Sequence, residues 1–143
     1  MSPHDQCSLY LEELLCCLKQ WDDYSVVGHI CYPQRWPRGE NVFTMRYEDF
    51  AEQADALLRH IIQSGHGIEV NTSMYRKLGK EIPGRDWLTR YRELGGDYVT
   101  FGSDAHFTEH MAYRFDDAVE LVKAAGIRYY ATYEKRKPAM HRL

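Results

Sequence analysis

The sequence predicts an α/β fold of parallel strands joined by helical crossovers. Apolar residues at helical spacing alternate with short β-branched and aromatic runs, in the order α-β-α-β-α-β-α-β. Three of the four helical stretches run into glycine, the usual residue just past a helix end. The chain has 143 residues, with no repeat, low-complexity tract or linker, which is the size of one domain.

Each element follows from its own pattern. Residues 7–21 place Leu11, Leu14, Leu15, Leu18 and Trp21 on a helical period. Tyr24 to Gly28 is a short apolar run and reads as the first strand, followed by a long loop marked by Pro33, Pro37 and Gly39. Residues 46–64 repeat Phe50, Ala54, Leu57, Leu58, Ile61 and Ile62, a long helix stopped by Ser64-Gly65. Gly67 to Asn71 is the second strand, Asp86 to Leu94 the third helix, and Tyr98 to Phe101 the third strand. Phe115 to Ala125 is a fourth helix ended by Gly126, and Ile127 to Thr132 is the last strand. Elements of these lengths suit a barrel-type or a doubly wound α/β layer.

Composition narrows the function. Hydrophobic residues are 44% of the chain, enough for a core, so a disordered tail is excluded. A net charge of −3 argues against a nucleic-acid backbone or an anionic membrane as partner. No apolar run approaches the roughly 20 residues of a membrane span, and no charged-then-apolar leader is visible, so the expected location is cytoplasmic. Cys7, Cys16, Cys17 and Cys31 lack C-x-x-C spacing, which argues against a zinc knuckle. Cys16 and Cys17 read as small buried apolar residues of the first helix. Asn71-Thr72-Ser73 fits a glycosylation sequon, a match without meaning unless a secretion route exists.

In parallel α/β folds functional groups gather beyond the carboxyl ends of the strands. Those ends carry His29 after strand one, Glu69 through Ser73 at strand two, and Gly102-Ser103-Asp104-Ala105-His106 after strand three. Strand four runs into Tyr133-Glu134-Lys135-Arg136. One aspartate and two histidines on a common rim are an oxygen and imidazole set suited to a divalent metal. Arg35 and Arg76 follow the first two strand ends and could clamp a phosphate with forked donors. The bland alternatives are a hydrogen-bonded loop histidine, an aspartate capping the next helix, and solvated surface arginines.

His106-Phe107-Thr108-Glu109-His110 also matches H-x-x-E-H, an inverted zinc-peptidase signature. That chemistry requires a helix through all five residues, so that both imidazoles share one face.

The chain resembles the histidinol-phosphate phosphatases of the polymerase-and-histidinol-phosphatase (PHP) superfamily. The resemblance rests on Val26-Val27-Gly28-His29, on Glu69-Val70-Asn71-Thr72-Ser73 with Arg76, and on Gly102-Ser103-Asp104-Ala105-His106. The stretch from Ala124-Ala125-Gly126-Ile127 into Tyr133-Glu134-Lys135-Arg136-Lys137-Pro138 adds to it. It implies a distorted (β/α)7, TIM-like barrel that hydrolyses L-histidinol phosphate, a step of histidine biosynthesis, with up to three divalent ions (zinc, manganese or iron). By position, His29, Asp104 and His106 match metal ligands, with Asp104 and His106 catalytic. Arg35 and Arg76 fall where the family grips phosphate. Such barrels run to about 250 residues, so residues 1–143 correspond to one partial domain, the C-terminal half. The family's N-terminal H-x-H element has no counterpart, since His4-Asp5 departs from it. The expectation is an incomplete metal set and a chain inactive alone. It would associate as a homodimer or with the missing N-terminal half, or else serve as a non-catalytic half-barrel module.

Overall fold

The computed structural model describes residues 1–35 and 43–143; the proposed loop positions Pro37 and Gly39 lie outside the described residues. Helix α1 (Pro3–Gln20) begins at a capping box, in which the Ser2 hydroxyl accepts from the Asp5 amide and the Asp5 carboxylate accepts from the Ser2 amide. Its inward face is Cys7 and Leu11, one helical turn apart. Cys16 and Cys17 lie on the other side and are exposed, which corrects the reading of them as buried. Adjacent positions differ by about 100° around a helix, so an apolar face set by 7 and 11 leaves 16 and 17 outside.

Strand β1 (Val26–Val27) is only two residues long. Two short 3₁₀ turns follow, Tyr32–Arg35 and Tyr47–Phe50, the second leading into α2 (Ala51–Gln63). Then come β2 (Gly67–Asn71), a single turn α3 (Tyr75–Leu78), α4 (Arg85–Glu93) and β3 (Tyr98–Gly102). The chain ends with α5 (Phe115–Ala124), β4 (Tyr129–Glu134) and β5 (Lys137–Arg142).

The sheet order is β1-β2-β3-β4-β5, with the first four strands parallel. Strictly consecutive order means that every crossover moves the same way. Right-handed crossovers then put every helix on one face, the winding of a barrel segment rather than of a doubly wound sheet. Side-chain alternation agrees. Ile68, Val70 and Val99 are buried beneath Leu57, Leu58, Ile61, Trp87, Leu88, Tyr91, Ala118 and Val122 of the helices. Val26, Glu69, Asn71, Tyr98, Thr100, Tyr129 and Tyr133 are left for the opposite, inner face.

The sequence predicts four strands, and the fifth is a finding. β5 runs antiparallel to β4 across a two-residue turn, Lys135-Arg136, with φ of 48° and 66°. Such turns usually announce themselves as Asn-Gly or Asp-Gly, because both central residues need positive φ. Here two basic residues adopt it, with Arg136 paired to Asp23, so no turn residue marks the reversal. Among the described residues no helix is long and apolar enough to cross a membrane.

Candidate functional site

Three strand ends build one rim. Beyond β1 the chain turns sharply at His29, whose φ of 58° is unusual for a side chain of this size. The turn is held from two sides, since the His29 carbonyl accepts from the Tyr10 hydroxyl of α1 at 2.8 Å and from the Tyr32 amide at 2.9 Å. Burial, with Cys31 and Tyr32 adding, pushes Tyr10 up to about 12. Beyond β3 the same device recurs at Asp104, with φ of 46°. Aspartate tolerates that region better than most residues, and no helix follows directly for it to cap.

These two turns bring His29, Asp104 and His106 together. Asp104 Oδ2 lies 3.8 Å from His29 Nε2, and Asp104 Oδ1 lies 3.4 Å from His106 Nε2. His106 is exposed, while Asp104 and His29 are half-buried. Imidazole and carboxylate are the donors that zinc and similar ions accept. The 3.4 Å separation is close to the roughly 3.3 Å edge of a tetrahedron with metal–ligand bonds of about 2.0–2.1 Å, so Asp104 and His106 fit two adjacent coordination positions. His29 approaches the other carboxylate oxygen, so the three donors do not surround one point. Among the described residues no group of three or more His, Cys, Asp or Glu closes tightly enough to hold an ion. The residues fit a divalent ion as a partial donor set.

Each arginine lies against an aromatic ring. Arg35 donates from Nη1 to the Tyr32 hydroxyl at 3.0 Å and lies over that ring, and the Tyr32 ring is 5.0 Å from the His29 ring. Arg76, in α3 just past β2, stacks 5.6 Å from the ring of Tyr113, in the loop that follows His106. Aromatic stacking holds each guanidinium while leaving its edge donors in plane.

Sequence reasoning did not select Glu69, which belongs to the same row. Its Oε1 is 3.8 Å from His29 Nδ1 and accepts from Asn71 Nδ2 at 3.0 Å. Asn71 Oδ1 in turn accepts from the Ser73 amide, closing an Asx turn at the end of β2. The signal was the alternation in Glu69-Val70-Asn71, which puts the two polar residues on the face opposite the buried Ile68 and Val70. Asn71, Thr72 and Ser73 are buried, so the sequon is inaccessible.

The zinc-peptidase reading fails on backbone grounds. Between His106 and His110 the chain is extended at Phe107 and then makes only a three-residue 3₁₀ turn, Thr108–His110. Without a helix the two imidazoles share no face. His110 instead packs edge-on between Phe107 and Tyr113.

A singly wound, largely parallel sheet with imidazole, carboxylate and guanidinium groups on its carboxyl rim defines an α/β protein of the barrel kind, with the donor types that handle metals and phosphate. Comparison with known proteins is more specific, and the resemblance read from the sequence holds: over about nine-tenths of its length the chain is similar to histidinol-phosphatases. It is 28% identical over 134 residues to a probable histidinol-phosphatase of Clostridium acetobutylicum, covering 90% of this chain and 49% of the relative. It is 29% identical over 132 residues to the histidinol-phosphatase of Lactococcus lactis subsp. lactis, covering 88% and 48%. A probable histidinol-phosphatase of Thermotoga maritima is 24% identical, with 95% and 55% covered. No family model matches. The crystal structure of the Lactococcus lactis histidinol phosphate phosphatase, complexed with zinc, L-histidinol and phosphate, superposes with a TM-score of 0.78 at 20% identity. That match covers 97% of this chain and 52% of the other. The chain thus spans about half the length of the curated relatives it matches.

Proposed function

We propose that this chain is one half of a metal-dependent phosphomonoesterase of the histidinol-phosphatase type, with L-histidinol phosphate as substrate. Residues 1–143 form a single partial domain, the C-terminal half of a distorted (β/α)7 barrel in a cytoplasmic enzyme of histidine biosynthesis. The observation that carries this reading is the row His29–Asp104–His106 on the strand-end rim of a chain that is similar to histidinol-phosphatases nearly end to end.

In this reading His29, Asp104 and His106 hold divalent ions (zinc, manganese or iron), with Asp104 and His106 nearest the reacting phosphate. Arg35 and Arg76 bind the phosphate oxygens. When bound, such ions lower the pKa of water and neutralise charge on the phosphoryl oxygens. The chain's own donors fall short of a complete shell, since even one zinc takes four ligands. Catalysis therefore needs donors from elsewhere, supplied by the other half of the barrel or by a second copy of this chain.

A second reading has its own support. The chain spans about half the length of the relatives it matches, which also suits a non-catalytic half-barrel that only binds or associates.

Metal uptake separates the two readings. The purified chain, dialysed against zinc or manganese, should retain the ion, and Asp104→Ala should lose it, because the carboxylate balances charge that imidazole cannot. A wild-type chain that retains none even when the other half of the barrel is supplied leaves only the association module. Phosphate release from histidinol phosphate should be negligible for the chain alone. Turnover near one per second, an ordinary enzyme rate, would mean that the half site is already complete.

A further inference from the structure

Glu69 is a carboxylate for which the inner face makes room. Its strand neighbours toward the rim are glycines: a Cβ at Gly102 would lie 2.2 Å from Glu69 Oε2, and one at Gly28 would lie 3.3 Å from Oε1. The Asn71 amide donates to Oε1 at 3.0 Å and holds it. Only 22% of the side chain is exposed, and among the described residues the only basic group within ion-pair reach is the His29 ring. That ring therefore lies between two carboxylates, Nδ1 toward Glu69 and Nε2 toward Asp104, each at 3.8 Å.

The two nitrogens cannot do the same job. In a neutral imidazole one carries the proton and the other a lone pair, and the partner of the first decides which is which. Glu69, an acceptor whose Oε1 is held by the Asn71 amide, can only receive a proton donor. We propose that Glu69 is a positioning residue: it keeps the His29 proton on Nδ1 and leaves the Nε2 lone pair facing Asp104. A carboxylate behind a ligating histidine fixes both ring orientation and tautomer. The inference deepens the metal-dependent reading and rests on it for its purpose, but not for its test.

The test is the tautomer itself. Long-range ¹H–¹⁵N correlation spectra of the metal-free, ¹⁵N-labelled chain at pH ~8.5, above the usual imidazole range, report which nitrogen of each histidine is protonated. The His29 signals are assigned by their loss in His29→Asn. The wild type should show the Nδ1–H form. Glu69→Ala should return His29 to the Nε2–H form that free neutral imidazole of histidine prefers, and Glu69→Gln, which keeps an acceptor oxygen, should retain the Nδ1–H form. Wild-type His29 protonated on Nε2 overturns the proposal, with no need for any variant to fold. So does a folded Glu69→Ala chain with unchanged His29 signals. Zinc titration is the separate arm: Glu69→Ala should weaken binding about 10- to 100-fold. A wild-type chain that takes up no zinc even when the other half of the barrel is supplied removes the metal reading, and the tautomer still decides the role of Glu69.

Discussion

Gly102 and Tyr10 carry much of the site's precision without being ligands. A methyl group at residue 102 would run into the Glu69 carboxylate, which could make way only by giving up its hydrogen bond from Asn71. Gly102→Ala should therefore destabilise the chain by about 1–3 kcal/mol, the usual cost of overpacking. Adding Glu69→Ala should restore most of the loss, because the clash goes with the carboxylate; urea melts of the two single variants and the double variant measure this coupling. If the two effects simply add, Glu69 is not the obstacle. Tyr10→Phe removes the hydroxyl that holds the His29 turn and should cost about 0.5–1.5 kcal/mol. Tyr10 also sets an alkaline limit. Its folded pKa of about 12 lies above the ordinary value of 10, so its contribution is whole below pH 10 and is lost between 10 and 12. Burial raises Tyr91 and Tyr98 in the same direction. Unfolding followed by tyrosinate absorbance should show stability falling through that window, with a shallower fall in Tyr10→Phe.

Among the elements, α2 and α4 are tied by one ion pair. Arg90 donates to both oxygens of Asp55, at 2.8 and 2.6 Å, and the Tyr47 hydroxyl donates to the same carboxylate. Hydrogen bonds from Arg90 and then Tyr47 hold Asp55 down to about 2, against the opposing effect of burial. A depressed carboxylate stabilises the fold above its unfolded value of 3.8, and that contribution fades as pH falls toward 2. After discounting for solvent, the tie is worth about 1 kcal/mol. Asp55→Asn should lower stability at pH 6 by that amount and flatten the acid limb of the denaturation curve between 3.8 and 2. An unchanged acid limb would place the titration elsewhere. The β4–β5 hairpin offers a gain instead. Lys135 sits at φ of 48°, and asparagine tolerates that region better, so Lys135→Asn should stabilise by a few tenths to about 1 kcal/mol in thermal melts.

At the scale of the molecule the open sheet sets the behaviour. One edge is blunted: β5 carries Lys137, Pro138 and Arg142, the residues that discourage further pairing. The other edge is the two-residue β1, next to the site. The inner face presents Tyr98, Tyr129 and Tyr133, and Met140 across from Ala131 is about half exposed. Each large apolar side chain left uncovered forgoes about 1.5–3 kcal/mol, against a typical domain stability of about 5–15 kcal/mol. The chain should therefore associate through β1 and the inner face, as a homodimer or with the other half of the barrel. Light scattering should report a species near twice 16.8 kDa or larger. A lasting 16.8 kDa monomer that binds no hydrophobic dye would show that this face needs no cover.

Local pattern determined most of what was legible in advance. Helical periodicity located α2, α4 and α5, and glycines with φ of 79°, 105° and 86° at positions 65, 95 and 126 ended them as expected. Alternation of elements determined a parallel sheet, and a parallel sheet determined that His29, Asp104 and His106 lie at one end of it. These are facts about neighbours in sequence, which composition over a few residues can encode. Tertiary structure alone decided the rest. Which carboxylate oxygen meets which imidazole depends on β1–β2–β3 register and on two left-handed turns, and neither leaves a mark in the local pattern. Glu69 became part of the row because parallel pairing set Gly28 and Gly102 on either side of it. The reversal at Lys135-Arg136 and the break between His106 and His110 depend on distant contacts, since in both places the residues themselves permit more than one backbone path.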